Sequence, residues 1–159
     1  MALMIKHIQC DIFKSGADVI CHQVNCQGVM GSGIAKQVRE KYPEAYDSYK
    51  FICDNAKKEN GTSSLLGVCQ RVRIDGHKTI INVFSQDRYG YDGKCYTDYD
   101  ALKKCLTTIK NSYKGKTIAI PYLMGCGLGG GNWELVSKLI EDIFNDNDTT
   151  VLICEYNGG

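Results

Sequence analysis

Between residues 125 and 131 the chain reads Gly125-Cys126-Gly127-Leu128-Gly129-Gly130-Gly131, five glycines in seven positions. Glycine at that density belongs neither in a helix nor in a strand interior, because it loses more backbone freedom on ordering than any other residue. The stretch is therefore a loop, and its neighbours place it. Before it lies the β-branched run Thr117 to Pro121; after it Trp133, Val136, Ile140 and Ile143 recur at helical spacing, with Asn132 positioned as their cap. A second glycine-bearing loop, Asn25 to Gly33, stands in the same place between the run Val19 to Val24 and a helical face of Ile34, Val38 and Tyr42. Loops from strand end to helix start leave backbone N–H groups unpaired at the positive end of the helix dipole, where an anion is favoured. Two of them at one sheet edge suit a diphosphate held from both sides.

The rest of the chain follows the same alternation. Ile5 to Cys10, Leu65 to Val72, Thr79 to Ser85 and Thr150 to Tyr156 complete six expected strands. Pro43 opens a second helical segment running to about Lys57, and Tyr99, Leu102, Leu106, Ile109 and Tyr113 form a later helix capped by Thr97 or Asp98. This order implies a mixed, largely parallel sheet with helices on both faces. Gly125, Gly127 and Gly130 satisfy the dinucleotide pattern G-x-G-x-x-G, but that fingerprint belongs to a first βαβ unit, and here one helix and one strand remain. Gly115-Lys116-Thr117 is no P-loop: Lys110 stands where its first glycine is needed, and a strand follows.

Composition narrows the function classes. The length, 159 residues, suits one domain, and 43% hydrophobic with 23% charged content is that of a globular chain whose apolar runs are too short for a membrane span. The first residues lack the charged-then-apolar order of an export signal. Nine cysteines without a C-x-x-C pair fit neither a disulfide framework nor a zinc ribbon, so a reducing cytoplasm is expected and no metal or cofactor is called for. Nineteen Lys and Arg against eighteen Asp and Glu supply no basic field, which disfavours a nucleic-acid partner.

At the residues Asp11-Ile12, Val24-Asn25, Met30 to Ala35, and Pro121 followed by Gly125 to Leu128, the sequence resembles the macrodomain family, whose members bind ADP-ribose and often hydrolyse its conjugates. Asn25 to Gly28, Gly33 to Ala35, Tyr42-Pro43 and Leu65 to Gly67 are similar to the ADP-ribose-1″-phosphate phosphatase branch. Gly125 to Leu128 with Trp133 is similar to the branch of terminal ADP-ribose protein glutamate hydrolase. The resemblance implies a three-layer α/β/α sandwich, most simply a monomer, whose partner is ADP-ribose or an ADP-ribosylated protein. It also implies a binding set of Asp11, Ile12, Asn25, Gly31, Ser32, Gly33, Ile34, Gly125, Cys126, Gly127, Leu128, Gly129, Gly130 and Tyr156. Asp11 would accept from the adenine amino group, with a turn cap as its alternative; Asn25 would face the distal ribose, with an Asx-turn as its alternative.

The departures bear on catalysis. The glutamate hydrolase branch has a lysine after the fourth strand and an aspartate in the second glycine loop; the corresponding residues here are Gln86 and Gly129, which supply neither imine chemistry nor a proton. The phosphatase resemblance puts His22 in their stead, a group with an ordinary pKa of about 6.5 that suits proton transfer, or a plain strand histidine. Asp87, Asp92 and Lys94 lie in the segment Gln86 to Tyr96, either a lid over the distal ribose or a solvated loop. Cys26 and Cys126 read as small apolar fillers. The expected function is hydrolysis of ADP-ribose linked to acidic side chains, or of ADP-ribose-1″-phosphate; the alternative is a reader that binds ADP-ribose without turnover.

Overall fold

A computed structural model describes residues 4–146 and 148–157. Six strands form one sheet: β1 Ile5–Gln9, β2 Val19–Asn25, β3 Cys69–Arg73, β4 Thr79–Gln86, β5 Thr117–Pro121 and β6 Thr150–Glu155, in the spatial order β1-β6-β5-β2-β4-β3. Only the edge strand β3 runs antiparallel to its neighbour. The expected mixed, largely parallel sheet is thus present. Helices α1 Gly33–Lys41 and α2 Pro43–Lys58 cover one face, and α3 Tyr99–Ser112 and α4 Trp133–Ile143 cover the other.

Side-chain alternation along the strands builds the two cores. On β2, Ile20 and Val24 meet Val38, Ala45, Tyr49 and Cys53 of α1 and α2; Val19 and Cys21 meet Leu102, Cys105 and Leu106 of α3. Central strands are buried on both faces because helices cover both. The caps read from sequence are made: Asp98 accepts from the Ala101 N–H and Asn132 from the Glu134 N–H. Pro43 is the first residue of α2, where its missing N–H leaves no bond unmade.

One strand is shorter than expected. Leu65 closes a 3-10 turn, Thr62–Leu65, and β3 begins only at Cys69. Gly67 between them has φ of +91°, a conformation that ends an extended run. No helix among the described residues is long and apolar enough to cross a membrane. All nine cysteines are free thiols, and no cluster of metal-ligating side chains occurs among the described residues.

Candidate functional site

The carboxyl ends of β2, β4, β5, β1 and β6 share one edge of the sheet, and the glycine loops rise from it. The first begins at a register shift between Val24 and Asn25. Asn25 Oδ1 accepts the Gln27 N–H at 2.9 Å and its Nδ2 donates to the Val29 carbonyl at 2.9 Å, the Asx-turn alternative realised. Tyr49, fully buried on α2, accepts the N–H groups of Gly28 and Val29 at 3.2 and 3.0 Å and reaches the Asn25 carbonyl at 2.7 Å. Beyond this knot the loop opens. Gly31, Ser32 and Gly33 are exposed, Ser32 makes no capping bond, and among the described residues no acceptor reaches the N–H groups of Gly33, Ile34 or Ala35. The positive end of α1 is therefore free to receive an anion.

The second loop is folded against the protein. Gly131 N–H donates to the Gly125 carbonyl at 2.8 Å, and the Gly129 carbonyl accepts from Tyr96 and Thr97 N–H groups at 2.7 and 3.0 Å. Thr97 Oγ1 donates to the Gly125 carbonyl at 2.7 Å and accepts from Gln23 Nε2 at 2.9 Å; Gln23 also bonds Gln86 Oε1 and Ser85 Oγ. A Cβ on Gly129 would lie 2.7 Å from both the Gly125 carbonyl oxygen and Thr97 Oγ1, so the aspartate of the related branch has no room here. The α4 end is closed by Asn132, unlike that of α1. What this loop offers is instead the run of N–H groups of Gly127, Leu128 and Gly129, which find no acceptor among the described residues. Leu123, half-exposed at the loop's base, holds φ of +64°, a costly position for a non-glycine residue.

Between the loops lies a cleft of about 640 Å³, lined by His22, Asn25, Gly31 to Ala35, Gln86, Tyr89, Tyr91 and the stretch from Pro121 to Gly129 except Cys126. None of its lining residues is Asp, Glu, Lys or Arg. A second hollow of about 480 Å³ sits at the ends of β1 and β6 and brings Asp11 and Tyr156 together. One Asp11 oxygen accepts the Phe13 N–H at 3.0 Å, so this residue does cap a turn; Ile12 buries its side chain, and its N–H has no acceptor among the described residues.

The structure sorts the remaining expected residues. Cys126 turns its thiol to the Met124 carbonyl and packs toward the α3–α4 core, and Gly130 abuts the Lys94 carbonyl; neither lines the cleft. Burial pushes the Cys26 thiol up to about 12 and raises that of Cys126, so neither is a thiolate at neutral pH. Asp87 is a latch, accepting from Thr62 Oγ1 at 2.8 Å and Gln27 Nε2 at 3.1 Å. Lys94 is exposed, 3.8 Å from Asp92, and outside the cleft lining.

His22 requires a correction. It is buried, and desolvation lowers its pKa to about 4, well below the value that made it attractive as a neutral-pH acid or base. Its Nε2 lies 2.6 Å from Asn82 Oδ1, whose Nδ2 donates to Gln70 and the Ala45 carbonyl; Nε2 therefore carries the proton, and Nδ1 is an unpartnered acceptor.

Tyr49 and Gln23 escape the sequence reading, and Thr97, read there only as a possible helix cap, anchors the second loop instead. Tyr49 left one signal: Ala45, Tyr49 and Cys53 recur every four residues on the buried face of α2, and a buried tyrosine hydroxyl needs a partner.

Open amides, an uncharged cleft and a parallel sheet edge are the features of an α/β domain with a cleft at the carboxyl ends of its strands. The Macro domain family model matches residues 21–140, and the chain belongs to that family. It is 30% identical over 158 residues to the DNA ADP-ribosyl glycohydrolase of Mycobacterium tuberculosis, aligning 98% of this chain with 43% of that protein, so it spans less than half of that relative. It is 41% identical over 164 residues to the ADP-ribose 1″-phosphate phosphatase of Scheffersomyces stipitis, with 87% of this chain and 94% of that protein covered. The macrodomain of Mycobacterium tuberculosis DarG superposes with a TM-score of 0.75 at 25% identity, covering 99% of this chain and all of the other.

Proposed function

We propose that the cleft binds ADP-ribose along the sheet edge and that the protein hydrolyses the bond joining the distal ribose to a conjugated group. The observation that carries this reading is a long uncharged cleft flanked by two runs of free backbone N–H groups, Gly33 to Ala35 and Gly127 to Gly129. Amides hold a diphosphate without a competing side-chain charge. The adenine belongs in the Asp11 and Tyr156 hollow at the β1 and β6 ends, and the distal ribose beyond the loops, toward Asn25, Gln86 and the tyrosines after β4.

In this reading the conjugated group is released to water without a covalent lysine intermediate, since the Gln86 amide is tied to Gln23 and the Arg88 carbonyl. Of His22, Asp87 and Lys94, His22 alone lines the cleft; its Nδ1 is buried and unpartnered, so the histidine backs the cleft wall rather than exchanging protons with a ligand. The names of the relatives support both a DNA-linked and a 1″-phosphate substrate. The neutral composition does not oppose the former, because the ADP-ribosyl group itself supplies the binding. A reader without turnover is favoured by one observation, the absence of any carboxylate in the cleft.

Calorimetric titration with ADP-ribose and AMP, followed by incubation with ADP-ribose-1″-phosphate, an ADP-ribosylated glutamate peptide and an ADP-ribosylated oligodeoxynucleotide, tests the proposal. Much tighter binding of ADP-ribose than AMP, with release from at least one substrate, is expected. Equal affinities refute the two-loop cleft; tight binding with no release from any substrate leaves the reader.

A further inference from the structure

Away from the cleft, two cysteines face each other across the β3–α3 contact. Cys69 begins the edge strand and lies partly buried on the α3 side; Cys105 is buried in the middle of α3. Cys69 Sγ lies 3.4 Å from the Cys105 carbonyl oxygen, and Cys105 Sγ lies 3.5 Å from the carbonyl oxygen of Val68, the residue preceding Cys69. Cys69 thus reaches the backbone of Cys105, and Cys105 the peptide that precedes Cys69, so both thiols sit in one β3–α3 contact.

We propose that Cys69 and Cys105 form a reversible oxidation site in which Cys69 meets a peroxide and Cys105 resolves it as a disulfide. Accessibility sets the order, since Cys69 is partly buried and Cys105 is buried. Its surroundings favour the thiolate: the Cys105 contact comes first, and Arg71 and Lys104 add positive charge, together lowering its pKa, whereas that of Cys105 is raised. The Cys69 thiolate attacks the peroxide, the O–O bond breaks, and Cys69 becomes a sulfenic acid while the departing hydroxide takes a proton from solvent and leaves as water. The Cys105 thiol then attacks that sulfur, S–S forms as S–O breaks, and a second water leaves. Two thiols have lost two electrons and the peroxide has gained them. The product would staple the free edge of the sheet to the helix whose N-terminus follows the cleft's tyrosine segment.

Peptide mapping after brief hydrogen peroxide treatment reads the outcome. A linked peptide joining Cys69 to Cys105, reversed by dithiothreitol, is expected, with a midpoint of thermal unfolding about 5 to 10 °C higher in the oxidised form. In Cys105→Ser the link is lost and Cys69 is trapped by dimedone. Should that variant fail to fold, the parent map alone decides. A map in which peroxide links other pairs first, or oxidises exposed Cys95 while Cys69 stays reduced, overturns the proposal.

Discussion

The two glycine loops share composition and position, yet they are built in opposite ways. The first is tied down at its root by Tyr49 and Asn25 and then releases Gly31 to Gly33 into solvent, leaving the α1 terminus bare. The second spends its glycines on close approach: Gly129 is buried against Thr97 and Gln23, and α4 carries its own cap. Glycine in the first loop leaves the backbone bare to solvent, whereas Gly129 in the second makes room for the protein's own side chains and backbone. A glycine count does not distinguish these uses, but the effect of adding one methyl group does.

The largest expected contrast follows. In Gly129→Ala the new methyl lies 2.7 Å from the Gly125 carbonyl oxygen and from Thr97 Oγ1, and backbone must move to accept it. Overpacking of that kind costs about 1 to 3 kcal/mol or more. Gly31→Ala places its methyl at an ordinary 3.5 Å from Val29 Cγ1. A change within about 0.5 kcal/mol is expected there. Thermal denaturation of both variants without ligand reads the difference; equal shifts would mean that the second loop is as open as the first.

Acid should separate the loops next. His22 is neutral and buried, and Asn82 links it to the Ala45 carbonyl of α2, the helix that supplies Tyr49. Its folded pKa of about 4 lies below the unfolded value, so the unfolded chain binds the extra proton first. The histidine's contribution is intact above pH of about 6.5 and is lost as pH falls toward about 4, reaching on the order of 3 kcal/mol. Denaturant titrations from pH 7 to 4 should show a steeper loss in the parent than in His22→Asn. Parallel curves would remove the depressed pKa, and with it the reading of His22 as a neutral wall residue.

The third test strikes the root of the first loop. Tyr49→Phe strips the partner from two N–H groups and the Asn25 carbonyl, at a cost of about 1 to 3 kcal/mol. ADP-ribose affinity should fall roughly tenfold as the loop loosens, a change worth about 1.4 kcal/mol. Hydrogen exchange should quicken at Gly28 and Val29 and stay unchanged at Gly130 and Gly131. Equal quickening at all four would show the loops to be one cooperative unit.

The sequence made these loops visible and hid their difference. Strand and helix periodicity is local, so the helices and five of the strands, with the Asp98 and Asn132 caps, could be read directly. Leu65 and Leu66 misled because they are apolar like a strand, while Gly67 at φ of +91° sets the break. The inward fold of the second loop depends on Gln23, Gln86 and Thr97, which are distant in sequence and individually unremarkable polar residues. Burial likewise turned His22 from a titrating group into a neutral part of the cleft wall, through the helices packed over β2.

The smallest effect gives the sharpest comparison, because it isolates the helix ends. Asn132 accepts the Glu134 N–H at 2.8 Å, so Asn132→Ala should destabilise the free protein by about 1 kcal/mol, the usual loss for a working cap. Ser32 occupies the equivalent position on α1 and makes no such bond. Ser32→Ala should leave the free protein within about 0.3 kcal/mol of the parent, well below the loss for a working cap. The uncapped amides would remain available to a diphosphate, so ADP-ribose should raise the unfolding midpoint of Ser32→Ala as much as that of the parent. The readout is thermal unfolding of both variants with and without saturating ADP-ribose. If Ser32→Ala costs as much as Asn132→Ala in the free protein, the serine closes that helix end in solution, and the first loop is not the open anion site that distinguishes it from the second.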